Sequence, residues 1–408
     1  MSGPTETRSV DVAVIGAGII GLGIAWAAAR SGRTVAVIDP APAQGATYAA
    51  AGMLAAVSEL HFKEEELLKL TLKSAALYPG FIASLGADAA AVGFRTPGTL
   101  VLGVDPADSQ ALFQLRELQI SHGLQVTSFT VREARAHEPL LSPNISAAFR
   151  IQQDHQVDPR LLAARLQAAL AELAHRNGWA HQPGIRQSAL CLLHKMPGDS
   201  RSRVTGVALD DGSTVAATEV IVANAGAASS LGGMPDDLAL PLRPVHGDIL
   251  RLRAPGHLQP FLNETVRGLV RGVPVYLVPR SDGTVVLGAT QREHGTETAS
   301  VGGVYQLLRD GQALVPAVAE LELIEVTARA RPGTPDNAPL LGRVASAAGG
   351  QDIPGLIVAT GFFRHGVLLT PVAAEICVQL FDNSGDSRWQ RFRPDRFSPL
   401  ISKEHTRA

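Results

Sequence analysis

The chain has 408 residues, more than one hydrophobic core usually serves, and this length predicts two domains. Its 36 Lys and Arg residues and 38 Asp and Glu residues give a formal net charge of -2. A nearly neutral chain has no extended basic field for nucleic acid or an anionic membrane, so we expect a small-molecule ligand and no nucleic-acid partner. With 46% hydrophobic and 18% charged residues, the composition is typical of an ordered globular protein.

The cysteines and histidines of the chain show no pattern typical of a disulfide framework or a metal site. The two cysteines, Cys191 and Cys377, lie far apart in sequence and form neither a CxxC pair nor a Cys/His metal pattern. The 12 histidines are scattered. We therefore expect a cytoplasmic protein with no metal site.

The first predicted elements form a βαβ unit. Arg8–Ile15 and Arg33–Ile38 are apolar runs typical of strands, and a small-residue stretch ending at Arg30 separates them. Val12–Ala29 is uncharged and 18 residues long, the length of a short membrane span. Its four glycines and its change of periodicity favour strand, turn and helix instead, so we expect no integral membrane span.

The middle of the chain carries two helix signals. Glu64–Leu85 has a helical pattern, in which Pro79 and Gly80 predict a break. A second helix is predicted from Asp158, a favourable N-cap, with Pro159 in the first turn.

Hairpin signals follow, and then a last strand and helix. Asp210–Gly212 and Ser281–Gly283 are turn sequences, the first between Val204–Leu209 and Thr214–Val222, the second between Val275–Pro279 and Thr284–Ala289. With Leu238–Leu252, the second hairpin predicts an antiparallel sheet over which a ligand would lie. Gly355–Thr360 is predicted to be a buried strand and Gly366–Phe381 a helix.

The most specific motif is the GxGxxG formed by Gly16, Gly18 and Gly21 between the first strand and helix. In such turns the first glycine permits the tight turn, the second lets the backbone approach a pyrophosphate, and the third lets helix and strand pack closely. Asp39 ends the second strand, where an acid accepts hydrogen bonds from a ribose hydroxyl. This arrangement predicts a dinucleotide site but does not separate NAD from FAD.

Four further features are compatible with ligand contacts and with ordinary packing. Gly45–Leu54 is poor in side-chain bulk, which suits either a flat ligand or tight helix packing. Glu219–Ala227 is best explained in isolation as an ordinary strand-to-helix turn. Arg331 and Arg364 stand in glycine-rich segments, where a rigidly held guanidinium can bind a carboxylate, although surface arginines are commoner. Tyr276, on a predicted strand, suits a ligand contact or the core equally.

Hydrolase and nucleotidase signatures are absent from the sequence. It contains no GxSxG elbow, no HExxH and no GxxxxGK[ST] phosphate loop.

In this order, the motifs resemble the D-amino-acid oxidase-like flavoproteins, and within them the glycine oxidase branch associated with thiamine biosynthesis. The resemblance is carried by VAVIGAGIIGLGIAW, GATYAAAGML followed by Glu59, VYLVPR, VVLGAT, RPGTPDNAPLLGR and GLIVATGFFRHGVLLTP. It extends from about Val10 to Leu380.

The resemblance implies an α/β fold of mixed type, with a Rossmann-like FAD-binding domain and an inserted antiparallel-sheet substrate domain. The FAD-binding domain would be discontinuous, comprising 1–88, 146–236 and 328–408, and the substrate-binding domain would comprise 89–145 and 237–327. FAD would be bound non-covalently, by Gly16, Gly18, Ile19, Ile20, Gly21, Asp39, Ala46, Thr47, Ala51, Gly52, Met53, Ile185, Phe362, Phe363, Arg364, His365, Gly366, Val367 and Leu368.

The resemblance also implies a substrate site and a reaction. Arg331 would bind the substrate carboxylate, Tyr276 would hydrogen-bond to it, and Arg364 would lie beside substrate and flavin, with Met53 and Gln291 nearby. Hydride transfer from a small amine or D-amino acid would give a 2-oxo acid (glyoxylate from glycine), ammonia and, with oxygen as acceptor, hydrogen peroxide. His246, where relatives usually have lysine or arginine, and Ala328–Ala330, where AGL is common, depart from the family pattern.

Three alternatives remain open on sequence. A D-amino-acid, sarcosine or proline-type dehydrogenase would pass electrons to a quinone or carrier. An NAD-dependent dehydrogenase and a non-catalytic nucleotide-binding module are the others. The preferred amine and the oligomeric state, a homo-oligomer included, are also open.

Overall fold

The computed structural model describes residues 7–345 and 350–398. Its strands are, in chain order, β1 (Thr7–Ile15), β2 (Val35–Ile38), β3 (Met53–Leu54), β4 (Thr99–Gly103), β5 (Thr127–Phe129), β6 (Ala147–Ile151), β7 (His155–Gln156), β8 (Gly184–Ile185), β9 (Ala189–His194), β10 (Val204–Leu209), β11 (Thr214–Val222), β12 (Arg243–Arg253), β13 (Thr265–Val270), β14 (Val273–Pro279), β15 (Thr284–Gly288), β16 (Glu322–Gly333), β17 (Leu340–Ala345) and β18 (Asp352–Thr360).

The α-helices are α1 (Ile19–Arg30), α2 (Ala46–Ala49), α3 (Glu65–Ser84), α4 (Pro106–Ser121), α5 (Val131–His137), α6 (Pro159–Arg176), α7 (Val301–Leu314) and α8 (Gly366–Phe381). Short 3₁₀ helices cover Ala89–Val92, Ala225–Ser230, Gly256–Leu258, Pro316–Glu320, Phe363–His365, Ser387–Phe392 and Pro394–Phe397.

The chain divides into two compact units whose bounds differ from the expected domain segments. The first unit comprises Met1–Thr47, Ala163–Pro244 and Arg331–Ala408, and the second comprises Tyr48–Leu162 and Val245–Ala330. Residues 48–88 and 146–162 account for most of the difference, because they bond to each other within the second unit. There β3 pairs with β7, and the buried Asp154 carboxylate accepts hydrogen bonds from the amides of Val57 and Ser58 at 2.9 and 2.8 Å.

The first unit is built on a sheet with strand order β17-β18-β11-β1-β2-β8. Off this path, β10 also pairs with β11, and β9 pairs with β10. β1 lies between β2 and β11 and runs parallel to both. Its residues Val12–Val14 have no exposed surface, as expected of parallel strands covered on both faces. The succession β1-α1-β2 confirms the predicted βαβ unit, so the long apolar segment is a strand, a turn and a helix. No helix of the described residues is long and apolar enough to cross a bilayer.

The second unit is built on a sheet with strand order β16-β12-β15-β14-β13-β4-β6-β5. One face of this sheet, which includes Leu277 and Leu287, packs with Leu307 and Leu314 of α7 in one core. The predicted hairpin β14-β15 is confirmed and antiparallel, as is the pairing of β12 with β15. However, β13 pairs parallel with β4, so the sheet is mixed. These two strands come from separate passes of the chain, and no hairpin dictates their relative direction.

The helix predictions are confirmed except at one point. Asp158 caps α6, because its Oδ1 accepts the amides of Arg160 and Leu161 at 2.8 and 3.2 Å. The predicted break at Pro79 is wrong, since α3 continues to Ser84. Tyr78 and Ile82, on either side of the proline, are buried, and their packing outweighs the hydrogen bond that proline removes.

Candidate active site

Two of the three glycines after β1 are required by the fold itself. Gly16 has a φ of +104°, and a Cβ there would stand 2.5 Å from the carbonyl oxygen of Ala223. A Cβ on Gly21 would stand 1.9 Å from the carbonyl oxygen of Gly16. These two positions therefore need glycine whether or not a ligand binds.

Gly18 is different, because the protein leaves room for a Cβ there. A Cβ on Gly18 would meet nothing closer than Thr47 Oγ1 at 3.5 Å. Gly18 is the N-cap of α1, whose first internal hydrogen bond runs from Leu22 N–H to Gly18 O, so Ile20 and Gly21 have no acceptor for their amides within the helix. Ile19 N–H donates to Thr47 Oγ1 at 2.9 Å. An open position in front of a helix N-terminus fits a pyrophosphate.

Asp39 is held at the carboxyl end of β2 in a position suited to a ribose. Its Oδ2 accepts the Ala17 amide at 2.7 Å and its Oδ1 accepts the Ala41 amide at 2.8 Å. Each carboxylate oxygen keeps a second lone pair for a ligand hydroxyl. The Asp39 amide donates to the carbonyl of Ile185 on β8 at 3.0 Å, so these two predicted cofactor residues lie together.

Asn224 is a candidate cofactor contact that the sequence analysis missed. It follows β11, and its Cα stands 2.8 Å from where a Cβ on Gly16 would lie. Its Oδ1 is buried and has no hydrogen-bond partner among the residues that the structure describes. Buried carbonyl oxygens normally accept a hydrogen bond, so this atom suits a ligand donor. The available signal was a polar residue among small ones directly after a buried strand.

The segment Phe362–Leu368 forms the turn from β18 into α8. Phe362, Phe363 and His365 are buried, and Phe363 adopts the left-handed backbone region with a φ of +47°. The half-buried Arg364 places its guanidinium carbon 5.3 Å from the centre of the Phe363 ring. Thr360 Oγ1 donates to Ala225 O at 2.8 Å, which ties this turn to the turn after β11. The positive end of α8 thus lies in the same segment as most of the predicted flavin contacts.

Arg331 lies on β16 and is half-buried. Its guanidinium makes no hydrogen bond or ion pair with any residue in 7–345 or 350–398. Arg329, two residues earlier, lies 3.7 Å from the carboxylate of Glu297 and donates to Ala328 O. Arg331 is therefore a cation available to a ligand.

In the second unit, a buried arginine holds the segment predicted to line the flavin. A Cβ on Gly52 would stand 2.0 Å from Val157 O, which shows how closely the two backbones pack. Arg280 donates to Ala51 O at 2.5 Å and to Val157 O at 3.0 Å. Burial lowers the pKa of Arg280 to about 10, which leaves it charged at neutral pH. Arg280 ends the VYLVPR motif but was not among the site residues expected from the sequence.

Tyr276 and Met53 pack against one buried cluster, and Gln291 lies beyond the end of β15. Tyr276 and Met53 both pack against the buried cluster Ala49, Ala51, Ile249, Val278 and Val286. Gln291 follows β15 and is exposed. Buried His246 forms backbone hydrogen bonds with Arg292, the residue after Gln291.

No described group of three or more His, Cys, Asp or Glu side chains is placed to hold a metal ion.

Comparison with known proteins identifies the class of enzyme. The family model described as "FAD dependent oxidoreductase" matches residues 11–380, and the chain belongs to this family. It is therefore an enzyme whose cofactor is FAD and not NAD, and Gly18, Thr47 and Asp39 fit that cofactor.

Individual relatives show which members of this family the chain is similar to. The chain is 32% identical to a glycine oxidase of Geobacillus kaustophilus over 92% of this chain and 94% of the relative. It is 28% identical to the bifunctional protein ThiO/ThiG of Trichormus variabilis over 96% of this chain and 56% of that longer protein. The crystal structure of glycine oxidase from Geobacillus kaustophilus superimposes with a TM-score of 0.82 at 28% identity, over 96% of this chain and 100% of that one.

Proposed function

We propose that the protein oxidises glycine and other small amines or D-amino acids to the 2-oxo acid, which is glyoxylate from glycine, with release of ammonia. The observation that carries this proposal is the half-buried guanidinium of Arg331, which has no partner in the described part of the chain. A guanidinium presents two parallel donors that match a carboxylate. The glycine oxidase relatives support an amino acid as the source of that carboxylate.

The cofactor contacts that we propose are the residues of the GxGxxG turn, Asp39, Ala46, Thr47, Ala51, Gly52, Met53, Ile185 and Phe362–Leu368. The substrate contacts that we propose include Met53, Tyr276 and Gln291. FAD, when bound, accepts the hydride from the substrate α-carbon.

The protein's contribution is orientation. Arg331 would fix the carboxylate, the Tyr276 hydroxyl would donate a hydrogen bond to it, and Arg364 would lie beside the substrate. The substrate, and with it the α-hydrogen, would thus be held in a single orientation.

The amine must be neutral when the hydride leaves, and its lone pair assists, so we assign no protein base. The imine that results would then be hydrolysed by water, which supplies the carbonyl oxygen of the 2-oxo acid and releases ammonia. Oxygen is the proposed electron acceptor, with hydrogen peroxide as product. The similarity to the ThiO/ThiG proteins supports a place in thiamine thiazole synthesis.

Anaerobic titration of the purified yellow protein tests this function. Glycine, sarcosine, D-alanine and D-proline are added separately while the flavin absorption band is followed. We expect glycine to bleach the band and air to restore it with formation of peroxide. If none of the four bleaches the band, the proposal is wrong. Bleaching without oxygen consumption, but with reduction of a quinone analogue, would instead favour the dehydrogenase alternative.

A further inference from the structure

A charged residue lies directly across the sheet from Tyr276. In the antiparallel pair β13-β14, Arg267 is the partner of Tyr276. Direct partners point to the same face, with Cβ atoms about 4.5–5.5 Å apart. The Tyr276 ring lies over Gly288 on β15, the neighbour on the other side. Tyr276 and Arg267 thus flank one stretch of the same sheet face.

The Arg267 guanidinium is paired with Glu59. Arg267 Nη1 donates to Glu59 Oε1, and the same nitrogen lies 4.0 Å from the sulfur of Met53. Both charged side chains are largely buried, with 14% and 13% of their surface exposed. The second Glu59 oxygen lies 4.0 Å from the exposed ring of His61. The ion pair is therefore shielded from water and adjoins a residue proposed to line both flavin and substrate.

The turn that carries Glu59 is held by hydrogen bonds with Asp154 and Gln119. The fully buried Asp154 carboxylate accepts the amides of Val57 and Ser58, and Gln119 Nε2 donates to Val57 O at 3.0 Å. Asp154 accepts these two amides, whereas Glu59, the next residue along the turn, accepts from Arg267. The ion pair and the residues that hold its turn thus all lie in the second unit.

We propose that the Arg267–Glu59 ion pair determines which further charged group, beyond the reacting amine and its carboxylate, the enzyme accepts on a substrate. This inference rests on the proposed function, in which Tyr276 contacts the substrate. While the pair is intact, it has no net charge and favours substrates with a small neutral side chain. Without Glu59, the Arg267 guanidinium would bind a second acidic group of the substrate. Without Arg267, the Glu59 carboxylate would repel such a group and attract a second amine.

The test uses two holoenzyme variants with opposite expected effects. For Glu59→Gln and Arg267→Gln, kcat/KM is measured with glycine, with the diacid iminodiacetate and with D-2,3-diaminopropionate. Glu59→Gln should raise the iminodiacetate-to-glycine ratio about tenfold, a change typical of one added ionic hydrogen bond. Arg267→Gln should lower that ratio and raise the diaminopropionate-to-glycine ratio. The double variant, which restores neutrality, should return both ratios towards the wild-type values.

A binding measurement gives a second readout that needs no turnover. Malonate and acetate are titrated into each holoenzyme, and their dissociation constants are read from the change in flavin absorption. Glu59→Gln should tighten malonate relative to acetate, while the exposed control Glu66→Gln should leave the ratio unchanged. Thermal melting establishes that each variant is folded.

The outcomes separate this inference from the proposed function. Ratios that move together in both single variants, or do not move, overturn the role of the ion pair while glycine still bleaches the wild-type flavin. If no amine bleaches the wild-type flavin, the proposed function and this inference both fail.

Discussion

The phenol of Tyr276 occupies the space that a side chain on Gly288 would take. The two residues are cross-strand partners in β14 and β15, and a Cβ on Gly288 would lie 2.3 Å from the Tyr276 hydroxyl oxygen and 2.4 Å from Cζ. The absence of a side chain at Gly288 on β15 thus lets the ring of Tyr276 on β14, the proposed substrate contact, take this position.

Gly288→Ala should therefore displace the Tyr276 ring. Loss of a hydrogen bond to a charged group costs about 1.5–3 kcal/mol, so we expect kcat/KM for glycine to fall by about tenfold or more. Steady-state kinetics measure kcat/KM. The flavin spectrum measures the FAD content, which should not change. Gly302→Ala is the matched control, because a Cβ there meets nothing within 4 Å. Normal kinetics for Gly288→Ala would remove Tyr276 from the site.

Replacing Arg331 tests the residue on which the proposed function depends most. Arg331→Ala should raise the KM for glycine by about tenfold or more, because a charge-assisted bidentate contact is lost. Arg331→Lys should recover only part of this loss, since an ammonium cannot match both carboxylate oxygens. The control is Arg176→Ala, which changes an exposed arginine in the last turn of α6. Unchanged kinetics in Arg331→Ala would contradict the assignment.

Gly18→Val separates cofactor binding from folding. A Cβ on Gly18 would meet no protein atom closer than 3.5 Å, whereas a pyrophosphate in front of α1, as proposed, would be crowded by the added side chain. We expect a folded, colourless protein, measured by circular dichroism and by flavin absorption after purification. Gly16→Val, in contrast, should impair folding itself, because of the clash with Ala223. A Gly18→Val protein that remains normally yellow would show that the pyrophosphate lies elsewhere.

Glu325 should make part of the stability of the second unit depend on pH. Arg160 donates to both its oxygens, at 3.0 and 2.6 Å, and this hydrogen bonding lowers the pKa of Glu325 from 4.5 to about 2. A depressed folded-state pKa contributes stability that is present above pH 4.5 and lost as the pH falls towards 2. The difference in unfolding free energy between wild type and Glu325→Gln should therefore be constant at neutral pH and shrink over that interval.

Urea unfolding at a series of pH values measures this difference. The control is Glu117→Gln, at an exposed glutamate on α4, whose difference from wild type should stay near zero throughout. A Glu325 difference that does not change between pH 4.5 and 2 would show that the ion pair is not formed in solution.

Those elements that depend only on residues close together in the chain could be predicted from the sequence. The βαβ unit, the Asp158 cap and the two hairpins follow from residue spacing, cap chemistry and turn residues, and the structure confirms them. The continuous helix through Pro79 was not predicted, because it is maintained by packing outside the helix, where the buried ring of Tyr78 stacks on Phe94.

Sequence alone determined a nucleotide fold with its glycine turn, and the residue types suited to bind a carboxylate. Only the tertiary structure decided which of these residues already bond to other parts of the protein. Arg267 and Arg280 are occupied by Glu59 and by backbone carbonyls, whereas Arg331 is left unpaired among the described residues. The parallel pairing of β4 with β13 was likewise undetermined by sequence. The physical reason is the same in each case: a hydrogen bond between residues a hundred or more positions apart leaves no periodic signal in either segment.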